Sequence, residues 1–357
     1  MEITHIPAGS RPANEIEEIL AEVVAFDALI NRASGLGDDF DPRADEVRQE
    51  LLSPNEYTSH QTWIGRLGGA IVAKGIAYLT LQDNLDVADV WCAVHPDKRR
   101  QGFGAEMLTA METSLVAQGR TQLTSYCENP ESVRASEVRS AHLAAETGAG
   151  SLPAGQPDVA FLSHHGFAFK QLERCSVAKT AVAASLPHVE LDPGYTIETW
   201  SGPTPEHRLE QIAWLHQKMS TDTPGAEEFG EEESWDAERV RALDEKRRKN
   251  RELLGTALAL KGDSAAGFTE VAHFDERPAV GWQGSTLVAR EHRGHGLGAA
   301  LKIANHVALG ESSRVERIYT WNAVENSWML AINDRGGFET WAWVGLWKKR
   351  PECLMSI

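Results

Sequence analysis

Apolar residues fall in short runs along this chain, and the runs come in one order that is used twice. In the first half, residues 2–7 fit a strand, and 13–31 then places Ile16, Ile19, Leu20, Val23, Val24 and Leu29 near one helical face. A second helix is expected at 44–52. From 62 to 81 the pattern turns to glycine-punctuated apolar runs, which read as a hairpin of two strands. A strand-like run at 90–94, a helix at 106–117 with Met107, Leu108, Met111 and Leu115 on one face, and a strand at 122–127 follow. Residues 128–158 are irregular; 159–169 and a strand near 170–177 close the half.

Residues 180–194, rich in Ala, Ser and Pro, have the composition of a linker. The order then repeats: a strand at 195–200, a helix at 205–219, strands at 254–261 and 265–274, a short strand at 286–289, a helix at 299–309 and a strand at 317–321. Between the helix and the strands lie an acidic stretch, 225–238, and a basic one, 246–251, which read as solvated surface or, for the acidic run, as a wall over a cationic substrate. Near the end, Asn326 is a good N-cap and Gly336–Gly337 a good helix stop, with Asn326 and Asn333 on one helical face between them. Trp341, Trp343 and Trp347 fit an end strand.

One stretch in each half carries chemistry. Residues 286–302 read TLVAREHRGHGLGAALK and residues 90–108 read VWCAVHPDKRRQGFGAEML. Their glycines align, so that Arg99-x-x-Gly102-x-Gly104 matches Arg293-x-x-Gly296-x-Gly298, 194 residues apart. That spacing is a repeat of whole domains. In both, a strand passes through a short basic loop into a helix. A helix start offers unpaired N–H groups and partial positive charge, and glycine lets backbone approach a ligand, so the loop suits a phosphate.

Length agrees with two domains, since 357 residues exceed one ordinary core. The net charge of −17 argues against a nucleic-acid backbone as partner and favours a cationic one. The first 30 residues lack the pattern of a signal peptide, and no apolar run reaches the ~18–20 residues of a membrane span, so no membrane partner and a cytoplasmic location are expected. Cys92, Cys127, Cys175 and Cys353 show no metal-ligand spacing and read as buried thiols, and no metal is expected.

A dinucleotide fold is the nearest rival, because Gly294-His-Gly296-Leu-Gly298-Ala299 fits G-x-G-x-x-A. That motif wants an acidic residue at the end of the next strand, where this chain has Tyr319-Thr320-Trp321, and the first copy has Met107 where a small residue belongs. A P-loop fails for want of Gly-Lys-Ser/Thr. Both loops instead resemble the acyl-CoA loop, Q/R-x-x-G-x-G/A, of the GNAT superfamily of N-acetyltransferases. Each is followed by the terminal Gly-Phe of that family, Gly166–Phe167 and Gly337–Phe338. The tandem arrangement resembles that of mycothiol synthase.

The resemblance implies an α/β (α+β) fold: two tandem GNAT domains, 1–179 and 195–357, each a mixed, mostly antiparallel sheet flanked by helices. It implies acetyl-CoA as co-substrate. Its pyrophosphate would sit on the amides of Arg293, Gly294, His295, Gly296, Leu297 and Gly298, or of Arg99, Arg100, Gln101, Gly102, Phe103 and Gly104. Its pantetheine arm would run along the strand edge at Leu287, Val288 and Ala289, or near Val94. The reaction implied is direct transfer of an acetyl group to the amine of a small molecule, by a monomer or a homodimer.

Where that family often has a Tyr, five residues before the terminal Phe, the second half has Asn333 and the first Leu162. An amide can hydrogen-bond a thiolate and leucine cannot, so the chemistry is expected in the second half, with Asn326 and Asn333 near the thioester. Glu270 is the expected base, and Trp282 and Trp321 line an acceptor pocket. His292 and His295 add charge to the loop. The alternative is a catalytically silent CoA-binding or interaction protein, because neither half keeps the Tyr.

Overall fold

A computed structural model describes residues 1–52, 54–136, 141–180, 189–223 and 226–351. Most of the expected linker (181–188), Gly225 of the acidic stretch and Cys353 lie outside the described residues. The chain forms two compact units, Met1–Leu172 with Trp343–Ile357, and Glu173–Ala342.

In the first unit the strands are β1 (Glu2–Pro7), β2 (Thr58–Leu67), β3 (Ala70–Thr80), β4 (Val87–Val94), β5 (Gln122–Pro130) and the start of β8 (Ala168–Lys179). Helices α1 (Ala13–Ser34) and α2 (Ala44–Leu52) precede β2, and α3 (Phe103–Ala117) joins β4 to β5. The stretch expected to be irregular holds a short helix, α4 (Glu131–Ser136), a ribbon of β6 (His142–Ala144) and β7 (Ser151–Pro153), and α5 (Pro157–His164). Strands β1 to β4 pair antiparallel in sequence order, and β4 pairs parallel with β5. The hairpin turns at Gly68 and Gly69, both at positive φ (59° and 87°), the conformation a two-residue hairpin turn requires. Ile16, Leu20, Val23, Phe26 and Ile30 of α1 pack with Val47 and Leu51 of α2 on Ile64 and Ile71 of the sheet. Met107, Leu108, Met111 and Leu115 give α3 its buried face.

The second unit repeats the plan with β9 (Tyr195–Ser201), α6 (Leu209–Asp222), α7 (Ala237–Lys249), β10 (Glu252–Lys261), β11 (Ser264–Phe274), β12 (Arg277–Val288), α8 (Leu297–Ser312), β13 (Arg317–Ala323) and α9 (Ser327–Arg335). Its strands follow the order β9-β10-β11-β12-β13 and then the second half of β8, antiparallel except for the parallel pair β12 and β13. The expected basic run forms the last turn of α7, where positive side chains suit the helix dipole. Leu209, Ile212 and Leu215 of α6 pack with Val240 of α7 on Leu258, Leu260 and Phe268, and Leu297 and Leu301 of α8 pack on the sheet beside Ala257, Ala259 and Ala266. No helix among the described residues is long and apolar enough to cross a membrane.

The last strand, β14 (Glu339–Lys349), belongs to the second unit only through Ala342. From Trp343 on it serves the first unit, whereas the sequence placed all of 195–357 together. Hydrophobic spacing marks a strand and its buried side but is blind to which sheet receives it. Trp347 is fully buried, stacks on Phe169 at 4.9 Å, and donates its indole N–H to Cys127 Sγ at 3.1 Å. Trp347→Ala is therefore expected to cost about 3–5 kcal/mol, read as a lower midpoint in urea unfolding, while a loss under 1 kcal/mol would place β14 outside that core.

Candidate active site

Strands β12 and β13 stay paired for three residues, Val280↔Arg317, Gly281↔Ile318 and Trp282↔Tyr319. Beyond them β12 runs on to Val288, held on its other side by β11, and β13 runs on to Ala323. Residues 283–288 therefore keep open backbone groups toward a gap, as an edge strand does. The first unit does the same: β4 and β5 pair only from Val87↔Gln122 to Asp89↔Thr124, and β4 continues to Val94.

At the end of each open edge the chain makes one 3₁₀ turn, Arg290–His292 or Pro96–Lys98. The following Arg then folds back. Arg293 Nε donates to Val288 O at 3.1 Å, and Arg99 Nε donates to Val94 O at 3.3 Å. Positive φ comes at alternate positions, 86° at Gly294 and 71° at Gly296, 61° at Arg100 and 87° at Gly102. Such alternation turns successive N–H groups into an anion-binding concavity at the helix start. Arg100 pays about 1–2 kcal/mol for a left-handed conformation that glycine adopts freely in the second loop. The third glycine allows close packing: a Cβ on Gly104 would lie 3.0 Å from Phe161 of α5, and one on Gly298 would lie 3.4 Å from Ile332 of α9.

The basic side chains of the second loop already have partners. Asp222, at the end of α6, holds Arg290 at 3.1 Å and Arg293 at 3.5 Å; His295 Nδ1 pairs with Asp192 at 2.5 Å, and His292 Nδ1 with the Tyr195 hydroxyl at 3.0 Å. These contacts set the loop's shape.

Glu270 lies on β11, where the ladder to β12 slips: two steps along β11, Thr269 to Val271, match three along β12, Thr286 to Gln283. The resulting bulge presents Gly284 to Glu270, with 3.6 Å between a built Cβ and the Glu270 Cβ. Ladder β3/β4 of the first unit has no such slip. Glu270 is buried and faces α6 and α7, with His216 Nε2 at 3.6 Å and Arg247 Nη1 at 3.5 Å. Burial pushes its carboxyl up, but Arg247 and then His216 outweigh burial and hold it down at about 2. Beside it, at the parting of β12 and β13, Trp282 stacks on Tyr319 at 5.4 Å and on Trp321 at 5.8 Å, and Trp341 meets Tyr319 edge-on.

A polar network lies on the opposite face of the sheet, under α8. Lys302 Nζ donates to Asn333 Oδ1 at 2.7 Å, and Asn333 Nδ2 donates to Asn322 Oδ1 at 2.6 Å. One turn along α8, His306 Nε2 meets Gln283 Oε1 at 3.1 Å, and Gln283 Nε2 donates to Thr269 Oγ1 at 2.9 Å. Burial lowers Lys302 to about 7; burial, and then Lys302, lowers His306 to about 3.

The two expected asparagines thus part company. Asn326 caps α9, accepting from the Met329 N–H at 3.2 Å, while Asn333 is buried and has given one N–H to Asn322. Lys302, Asn322 and His306 were not anticipated, although Lys302 and His306 are visible in the sequence as polar residues four apart on the apolar stripe of a helix. Nothing in the spacing of His216 or Arg247 marks them as neighbours of Glu270.

The sequence profile of the acetyltransferase (GNAT) family matches residues 30–138 and 210–331, one stretch in each unit. No curated protein sequence matches the chain. Among solved structures, a tandem GNAT protein from the clavulanic acid biosynthesis pathway, solved without AcCoA, superposes with a TM-score of 0.73 at 23% identity over 98% of both chains. A GCN5-related N-acetyltransferase from Sphaerobacter thermophilus gives 0.61 at 18% identity, over 97% of this chain and 96% of that one. Both likenesses are of fold.

The network has a signature in stability against pH. His306 has a folded pKa near 3 against an ordinary 6.5, so the unfolded chain binds the extra proton and stability falls as pH drops from about 6.5 toward 3. Lys302 has a folded pKa near 7 against 10.5, so stability rises with pH from about 7 to 10.5. In urea unfolding, His306→Gln should flatten the acid limb and Lys302→Met the alkaline one. Profiles that keep the wild-type slopes would show that neither group is buried as described.

Proposed function

The chain belongs to the GNAT family of acetyltransferases as a tandem member, and from that premise we propose that its second unit transfers an acetyl group from acetyl-CoA to the amine of a small molecule. The observation that carries this reading is the open edge of β12 running directly into the glycine loop and the start of α8. Pantetheine would pair with the backbone at Leu287, Val288 and Ala289 as an added strand. The pyrophosphate would take the amides of residues 293–298, with Arg293 and Arg290 exchanging Asp222 for phosphate.

The bulge and the groups around it favour the second unit for the chemistry, since bulges re-aim groups beside active sites. The acceptor amine would enter beside Trp282 and Trp321 with its positive charge toward Glu270. Aromatic faces and a carboxylate suit a cation together. Its nitrogen, once deprotonated, attacks the acetyl carbonyl carbon, the C–S bond breaks, and CoA leaves as thiolate. A carboxyl held near 2 is by itself a weak base. Glu270 therefore draws and orients the ammonium, with His216 and Arg247 keeping the carboxylate in place at 3.6 and 3.5 Å, and the ammonium proton passes to water. The first loop, with Val94 and residues 99–104, is a second CoA site that binds without turnover, because Leu162 and Leu108 stand where Asn333 and Lys302 serve the other unit.

Isothermal titration with acetyl-CoA and thiol release across a panel of small amines test the reading. Gly296 has φ 71° and a Cβ there would meet Val189 at 3.3 Å, so Gly296→Val should weaken binding at the second site by tenfold or more. Glu270→Gln should lower amine-dependent thiol release by about 10²-fold with acetyl-CoA affinity within a few-fold of wild type. If no amine raises release above hydrolysis, the protein is a CoA binder and not a transferase.

A further inference from the structure

The chain of side chains Lys302, Asn333 and Asn322 has a direction that chemistry imposes. An amide oxygen only accepts, so Lys302 Nζ donates to the carbonyl oxygen of Asn333. That fixes the Asn333 amide, whose NH₂ then faces the Asn322 oxygen. Asn322 is fixed in turn, with its oxygen engaged and its NH₂ left over; among the described residues that group donates to nothing. Lys302 and Asn333 are 4% and 1% exposed, whereas Asn322 is only half-buried. It stands on β13 three residues beyond Tyr319, the last residue paired with β12, and so on the wall of the gap.

We propose that Asn322 is the group that donates to the thioester sulfur of bound acetyl-CoA, and that Lys302 and Asn333 are positioning residues that hold and polarise it. The inference rests on the reading that CoA lies in the gap between β12 and β13. Each hydrogen bond in such a chain strengthens the next, so donation by Lys302 is felt at the far N–H groups. When the C–S bond breaks, the electron pair goes to sulfur, and the Asn322 N–H groups meet it there without giving up a proton. Water protonates the thiolate later. Around Lys302 the facing groups are His306 on its own helix, held by Gln283, Asn333 on α9, and the Phe338 ring at 5.6 Å. No carboxylate pairs with it among the described residues, and its hydrogen bond to Asn333 is its link to the relay.

The two units supply a comparison. By the glycine register Lys302 corresponds to Leu108, and by the terminal Gly-Phe register Asn333 corresponds to Leu162; both leucines are buried. The first unit fills the same place with apolar contacts, so the fold itself has no need of the polar pair.

The thiol of bound CoA reports the relay without any acceptor. Its ionisation is followed by ultraviolet thiolate absorbance on the full chain saturated with CoA, with an ordinary thiol pKa of about 8.5 as reference. In wild type one CoA per chain should ionise at least one unit lower, which is about tenfold more thiolate at pH 7. Lys302→Met and, separately, Asn322→Ser should each return that thiol to the ordinary range, while affinity for desulfo-CoA stays within about twofold. The two substitutions together should do no more than either alone. An ordinary thiol pKa in wild type, or a lowered one that survives Lys302→Met, overturns the proposal while leaving CoA binding intact. Failure of CoA to bind at all would overturn the functional reading beneath it.

Discussion

A parallel pair of strands that stays together for only three residues is the constraint on which the second unit is built. Were β12 and β13 paired to their ends, residues 283–288 would spend their hydrogen bonds on a neighbour and nothing could enter the sheet. Because they part after Trp282↔Tyr319, a gap opens whose walls are backbone on one side and the end of β13 on the other. The helix that follows β12 must then start at the mouth of that gap, since only a short turn separates Val288 from Leu297. Open edge, glycine loop and helix start are thus consequences of one strand separation. The same separation occurs between β4 and β5, which is why the loops look alike.

What differs between the units is the material packed behind the gap. Under α3 lie Met107, Leu108, Met111 and Leu115, and the adjoining helix adds Leu162. Under α8 lie Lys302, Asn305 and His306, joined to Gln283, Thr269, Asn333 and Asn322. Burying such groups is costly unless every one is hydrogen-bonded. An apolar filling is the more economical solution, and the first unit adopts it. The second also carries the β-bulge opposite Glu270 and a carboxylate held ionised by Arg247. Polar network and bulge sit on the two faces of the sheet at the level where the strands part.

Much of this was legible in the sequence, for reasons that can be traced residue by residue. Glycines at alternate positions after an apolar strand specify a backbone conformation, so Gly294, Gly296 and Gly102 were readable as a loop at a helix start. Asn326 before a helical run and Gly336 after it set the limits of α9. Side chains that act through space were not readable in this way. Glu270 was visible as a carboxylate on a strand, but its partners come from residues 54 positions earlier and 23 earlier, His216 and Arg247, and no local pattern joins them. Asn333 was read as a lone amide because Lys302 lies on another helix. The destination of β14 was hidden for a similar reason, since the spacing of Trp341, Trp343 and Trp347 describes a strand and says nothing of its neighbours.

Amide hydrogen exchange with and without acetyl-CoA addresses the central claim most directly, because it reads the backbone groups that the gap leaves open. The account predicts that acetyl-CoA slows exchange in residues 283–298, along the free edge of β12 and through the loop to the first turn of α8, with the paired edge of β11 unchanged. Binding of acetyl-CoA that left residues 283–298 exchanging as in the free protein would contradict it.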